Sequence, residues 1–197
     1  MSERSEGIDR RAFVRNAAIG TAVVWSAPAV TTLGPAWAQG SVQPGCRSVF
    51  STDFDSAGPA RLNATGTIDG FTVTNGTVDV IGDGYFDFYP GNGLYIDTDG
   101  SSSAPSPTIA SVPTFGPGAY QVTFVLAGST RGDTNSVTVT FGTNTEVITL
   151  ESSAPITTYV RSWVLVAPAQ LTLTHSSAID FYGLILLSAD VSACTAA

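Results

Sequence analysis

The sequence has no lysine, one histidine (His175), one methionine and two cysteines in 197 residues. Each scarcity excludes something. Nucleic acids and anionic membrane surfaces are held by Lys and Arg side chains that neutralise phosphates. Here the only such cations are eight arginines, and four of them (Arg4, Arg10, Arg11, Arg15) fall at the N-terminus. Beyond residue 38, four arginines face 13 acids, a net charge of −9. Neither nucleic acid nor an anionic membrane is an expected partner; divalent cations and neutral sugars are compatible with such a surface. One His and two distant Cys make a poor zinc set. A hydrolase triad needs a His next to a nucleophile and an acid, and no G-x-S-x-G elbow accompanies His175. It reads as a solvent-facing or hydrogen-bonded turn residue. Glu146 and Glu151 are the only glutamates beyond the N-terminus. Neither sits in an apolar stretch that would raise its pKa for glycosidic acid catalysis. The chain reads as a non-enzyme.

Charged residues make up only 12% and hydrophobic residues 43%, enough apolar surface for a packed core. The first 38 residues read as an address. "DRRAFVR" carries Arg10, Arg11 and Phe13 at twin-arginine spacing, with Asp9 where Ser or Thr is usual. An apolar stretch from about Ala17 to Val30 follows, too short and too diluted for a membrane span. Ala36-Trp37-Ala38 is a small-x-small cleavage pattern. The expectation is a signal peptide over 1–38, read by the twin-arginine export machinery and removed, then one domain over 39–197. No lipid-anchor cysteine or closing apolar helix is seen, so an exported location is expected: extracellular, cell surface or periplasm. There, Cys46 and Cys194 most simply pair. Twin-arginine cargo folds before export, so the core must hold without that bond.

After Gly45 the dominant period is two. "SVFSTDFD", "GAYQVTFVLAGS", "SVTVTFGTNTEVITL", "TTYVRSWVLVAPAQLTLTHSS" and "IDFYGLILLSADVSA" read as strands and hairpins. "FTVTNGTVDVIG" reads as a hairpin at Asn75-Gly76. "YFDFYPGNGLYIDTDG" reads as strand, turn and strand. About ten short strands predict an all-β antiparallel sandwich or jelly roll, with the first and last strands adjacent if the cysteines pair.

Asp97 and Asp99 in "DTDGS", with Asp53 and Asp55 in "DFD", offer closely spaced carboxylates of the kind calcium takes. Asp180 is an acid from another strand that could join them. A solvated strand face ending in a Gly-Ser turn accounts for the same residues. Tyr85, Tyr89 and Tyr95 are candidate stacking surfaces for a sugar ring, or else ordinary packing residues. In Arg131-Gly132-Asp133, the glycine suits a turn and the arginine can pair with Asp133 or a neighbouring loop acid.

The segments "FSTDFDS", "FTVTNGTVDVIGDGYFDFYPGNGLYIDTDGSS", "LAGSTRGDTNSVTVTFG" and "YGLILLSADVS" resemble secreted bacterial jelly-roll domains of the galactose-binding-like type, as found in PEP-CTERM-type surface proteins. The resemblance implies a β-sandwich in an extracellular place. It implies sugar binding only through the fold, and a structural calcium between first and last strands in related domains. Asp190 in "LSADVS" is displaced from the usual acid position. The resulting expectation is a secreted, non-catalytic binding module, with calcium as candidate cofactor and polysaccharide or cell-surface components as candidate partners. The alternative is a structural surface or matrix protein acting through protein–protein contacts.

Overall fold

A computed structural model of the chain describes residues 45–102 and 105–195. The export residues Arg10, Arg11, Phe13, Ala36 and Ala38 lie outside the described residues. Eleven strands follow one another: β1 (Cys46–Thr52), β2 (Arg61–Ile68), β3 (Phe71–Gly82), β4 (Leu94–Asp97), β5 (Thr108–Ser111), β6 (Gly118–Ala127), β7 (Thr134–Phe141), β8 (Asn144–Glu151), β9 (Thr157–Leu165), β10 (Leu171–His175) and β11 (Ile185–Cys194). All pairings are antiparallel, and no helix occurs among the described residues.

The strands form an antiparallel β-sandwich. Its hydrogen-bonded path runs β8-β7-β10-β5-β3-β4-β11-β6-β9, with β1 on β11 and β2 on β3. The path folds into two facing layers because β3 belongs to both. Its first half, Phe71 to Thr74, pairs with β5; its second half, Asp79 to Gly82, pairs with β4. The bend lies at Asn75-Gly76, both at positive φ (57° and 150°). The Asn-Gly pair therefore does not close a hairpin, as its turn chemistry suggests. From Gly66 to Ala64 β2 moves two residues while β3 moves five, from Val73 to Val78. The surplus forms a bulge that re-aims the strand. A Cβ on Gly76 would collide with the Pro105 carbonyl, so only glycine permits the bend.

Alternation fills the space between the layers. Val137, Val139 and Phe141 of β7, with Leu171 and Leu173 of β10, face Val122, Phe124 and Leu126 of β6 and Leu186, Ala189 and Val191 of β11 in one buried cluster. Burying each such side chain contributes about 1.5–3 kcal/mol. In β11 a bulge between Leu186 and Ser188 keeps residues on both sides of it in phase with that core. At the far end, Cys46 and Cys194 are opposite in the β1–β11 register and are disulfide-bonded. The first and last strands are thus adjacent, as the cysteine placement implies.

A second, smaller cluster lies on the outer face of the β3-β4-β11-β6 layer. Ile81, Tyr95, Val125, Ala127, Ile185 and Leu187 are covered there by Leu62, Phe88 and Tyr89. The covering loop is residues 83–93. It includes the segment read above as a strand, "YFDFY", which makes only a single bridge, Gly82 to Tyr85. Positive φ at Asp83, Gly84 and Phe86 breaks the extension.

Candidate functional site

Beside that outer cluster, β3 and β4 place Asp79 and Asp97 directly opposite each other. Alternation sends Val80 and Ile96 into the core and both aspartates outward. They are almost wholly withdrawn from solvent: Asp79 is 2% and Asp97 0% exposed. They lie at the floor of a cleft of about 330 Å³. Leu62, Ile81 and Ser101 complete the floor; Phe86 and Phe88 rise from the 83–93 loop, Arg131 from the β6–β7 loop, and Phe181 and Tyr182 from the β10–β11 loop.

Both carboxylates on the floor are tied, while Arg131 Nε is buried without a partner among the described residues. Asp79 Oδ1 accepts from the backbone N–H of Asn63 (2.7 Å) and of Ser101 (3.1 Å), and Oδ2 accepts from Ser101 Oγ. Asp97 Oδ1 accepts from the N–H of Asp99 (3.0 Å) and Gly183 (2.8 Å). Its Oδ2 holds Arg131 Nη2 in an ion pair. Arg131 Nη1 donates to the Phe181 carbonyl (3.2 Å). The guanidinium lies over the rings of Phe88 and Tyr182, 5.0 and 4.6 Å from their centroids, a cation–π sandwich. Burial pushes the Asp97 carboxyl up to about 7, against the pull of Arg131 and the Asp99 N–H; the charge of Asp79 adds to the rise.

The two aspartates of "DTD" share one task. Asp99 Oδ2 accepts from the N–H of Asp180 (3.0 Å) and Phe181 (2.9 Å), and Asp97 takes the N–H of Gly183. Together they clamp the loop that presents Phe181 and Tyr182. A Cβ at Gly183 would collide with the Asp97 carboxylate and the Asp99 N–H, so glycine is required for the close approach. His175 lies behind the clamp. It is 2% exposed and ends β10, so of the two readings the hydrogen-bonded one holds and the solvent-facing one does not. Its Nε2 meets the Ala178 carbonyl at 3.1 Å and lies 3.9 Å from Asp99 Oδ2. Its Nδ1 is buried without a partner among the described residues.

The calcium candidates do not converge. Asp53 Oδ1 caps the Asp55 N–H (3.2 Å), Asp55 Oδ1 takes the Leu94 N–H (3.1 Å), and Asp180 Oδ1 takes the Tyr182 N–H (3.1 Å). Asp97 faces the Arg131 guanidinium instead of a metal ion. No three His, Cys, Asp or Glu groups come together to hold an ion among the described residues. At the first-to-last-strand position, Asp190 accepts from Ser48 and Ser192 hydroxyls. This donor set does not fit the calcium that the resemblance implies.

The tyrosine candidates also need correction. Tyr95 is 0% exposed; its hydroxyl accepts from the N–H of Phe88 and Tyr89 and donates to Asp87. Tyr89 is half-buried and donates to the Gly128 carbonyl. Both hold the 83–93 loop in place, so neither is free for a ligand. Tyr85 is exposed but lies edge-on to Phe86, outside the residues that line the cleft. The lining aromatics are Phe86, Phe88, Phe181 and Tyr182, none of them among the tyrosine candidates. The sequence offers Arg131 only Asp133 or a neighbouring loop acid; with so few arginines beyond residue 38, each is also a candidate partner for a buried acid on a distant strand. Of the glutamates, Glu146 forms a bidentate pair with Arg161 that holds its carboxyl below the usual range. Glu151 accepts from Thr134.

No protein-family model matches the chain, and no curated protein matches it. Solved structures of similar shape exist. The K3 adhesin domain of Lys-gingipain from Porphyromonas gingivalis aligns over 75% of this chain and 100% of its own, at 12% identity and TM-score 0.49. The CBM22-1 xylan-binding domain of Paenibacillus barcinonensis Xyn10C aligns over 78% and 98%, at 14% identity and TM-score 0.48. A CBM35 domain from the same organism aligns over 71% and 100%, at 16% identity and TM-score 0.39. These are likenesses of architecture and assign no ligand.

Proposed function

We propose that residues 39–197 form an exported, non-catalytic module that binds a saccharide in the cleft between Phe86, Phe181 and Tyr182. The observation that carries this is the pairing of exposed rings with a buried polar floor. Phe86, Phe181 and Tyr182 are 55%, 43% and 40% exposed, large for aromatic side chains gathered at one opening. Sugar rings stack their C–H faces on such side chains while their hydroxyls seek fixed polar groups. The floor offers carboxylate oxygens, the Ser101 hydroxyl and a guanidinium. The volume, about 330 Å³, is near the lower end for small-ligand sites, on the order of 300–1,000 Å³. It suits a short stretch of chain or a chain end.

A binding role fits the floor better than a catalytic one. Asp79 and Asp97 each already hold three donors, and neither carboxyl is free to protonate a leaving group. Export is supported by the twin-arginine and cleavage patterns of the leader together with the Cys46–Cys194 bond. The test is titration calorimetry of the protein against a polysaccharide panel that includes xylan, the ligand named for one similar domain. Binding lost in Phe181→Ala and Tyr182→Ala, with the melting curve preserved, is the expected result. Retention of no saccharide by the wild-type protein would sink the reading.

A second reading, contact with other surface proteins, is favoured by edge strand β9 and the turn after it. Val160, Val164 and Val166 are 41%, 60% and 76% exposed there. Unchanged envelope retention after Val164→Lys and Val166→Lys would remove it.

A further inference from the structure

Asp79, on the floor of the cleft, has no cationic partner of its own among the described residues. Arg131 is committed to Asp97. Asp79, opposite it, is equally buried, yet its three partners are two backbone N–H groups and a hydroxyl, all neutral. No arginine or histidine forms an ion pair with it among the described residues. Neutral donors orient a carboxylate without cancelling its charge, and buried charges in folded proteins are ordinarily paired. The surroundings add no cation. Asp99 and His175 stand behind the clamp on the Phe181 loop. Asp87, on the 83–93 loop, accepts from Tyr95 and Gly84.

The walls point the same way. An aromatic face is the negative part of the ring quadrupole and attracts cations. Phe88 and Tyr182 already receive Arg131. Phe86 and Phe181 line the same opening, are exposed, and have no cation over them among the described residues. Beyond residue 38 the chain's excess of 13 acids over four arginines draws polycations and repels uronate polymers.

We propose that the saccharide taken by this cleft carries a free, protonated amino group, as a 2-amino-2-deoxy sugar does, with its ammonium as the counter-ion of Asp79. The proposal rests on the saccharide reading above and narrows its ligand class. Acylation of the amine removes the charge, so an N-acetylated chain of equal length is the discriminating control.

The experiment is calorimetric titration of the full protein at pH 6 and low salt. The probes are β-1,4-linked glucosamine, N-acetylglucosamine and glucose oligosaccharides and an oligogalacturonate, all of one length. The amine form is expected to bind about tenfold tighter or more than the neutral forms, the range of a charge-assisted hydrogen bond. The preference should shrink in 0.5 M salt. Asp79→Asn, which keeps an acceptor for Asn63 and Ser101, should abolish the preference, so that amine and N-acetyl forms bind alike. Asp53→Asn removes one exposed charge elsewhere and should leave it intact. Equal affinity for amine and N-acetyl forms would overturn the amine assignment and leave the saccharide reading standing. So would a preference that falls equally in Asp53→Asn and Asp79→Asn, which marks bulk charge. Binding of none of the probes would overturn both. Should Asp79→Asn fail to fold, the wild-type ranking of the four probes and its salt dependence decide alone.

Discussion

Replacing Asp97 by asparagine tests the energetics of the buried floor. The carboxyl is wholly buried, and its pKa rises from 3.8 to about 7, first through lost solvation and despite Arg131. Between those values the folded protein holds a proton that the unfolded chain has released. The group therefore stabilises the native state increasingly as pH falls from about 7 towards 4, and that stabilisation is lost as pH rises through 7. At about 1.4 kcal/mol per pH unit, the span of about three units gives about 4 kcal/mol at most. The amide introduced by Asp97→Asn keeps an acceptor for the Asp99 and Gly183 N–H groups and has no proton to exchange. Urea denaturation of both proteins at pH 5, 6, 7 and 8 is the assay. The wild type should gain about 1–3 kcal/mol relative to Asp97→Asn between pH 8 and pH 5. Glu146 does not confuse this window. Its carboxyl is held below 4.5 by Arg161, so its contribution is present at higher pH and is lost only as pH falls below the range measured. Parallel stability curves for the two proteins would refute the account of Asp97 as a buried, desolvated carboxyl.

Three further outcomes follow from the same geometry. Gly183→Ala should lower stability by about 1–3 kcal/mol, because the new methyl meets the Asp97 carboxylate and the Asp99 N–H; saccharide titration should weaken with it as the Phe181 loop shifts. Reducing the Cys46–Cys194 bond, which spans 148 residues, should cost up to about 5 kcal/mol on the loop-entropy scale without unfolding the core, and thermal melts with and without reductant check this. Calcium against chelator should leave the melting temperature unchanged; a rise with calcium at a hundred times its dissociation constant, worth about 2.7 kcal/mol, would show that a cation site exists after all.

The parts of the fold that were legible are those where one face is core and alternation is clean. β7 places Asn135, Val137, Val139 and Phe141 inward in strict period two, and the turn at Gly142-Thr143 brings Phe141 opposite Asn144. The parts that were not are those where a distant segment decides the local outcome. β2 is "RLNATGTI", polar on most positions, and becomes a strand because β3 offers it partners. Asn75-Gly76 has the chemistry of a hairpin turn, yet pairing with β5 on one half and β4 on the other makes it a bend. "DTDGSS" shows the limit most clearly. By composition it is a solvated strand end, and Asp97 and Asp99 are nevertheless 0% and 2% exposed. What buries them is the 178–183 loop, whose N–H groups they accept, and Arg131, whose partner is the strand acid Asp97 and not Asp133 or a neighbouring loop acid. An isolated carboxylate would remain in water at that position. Those N–H groups and the guanidinium make burial tolerable, and the same loop carries the two rings that wall the cleft. The acids of "DTDGSS" were thus visible as chemistry. Their service to Phe181 and Tyr182 was written in a segment some eighty residues later, which period-two reading assigns only to the approach of the last strand.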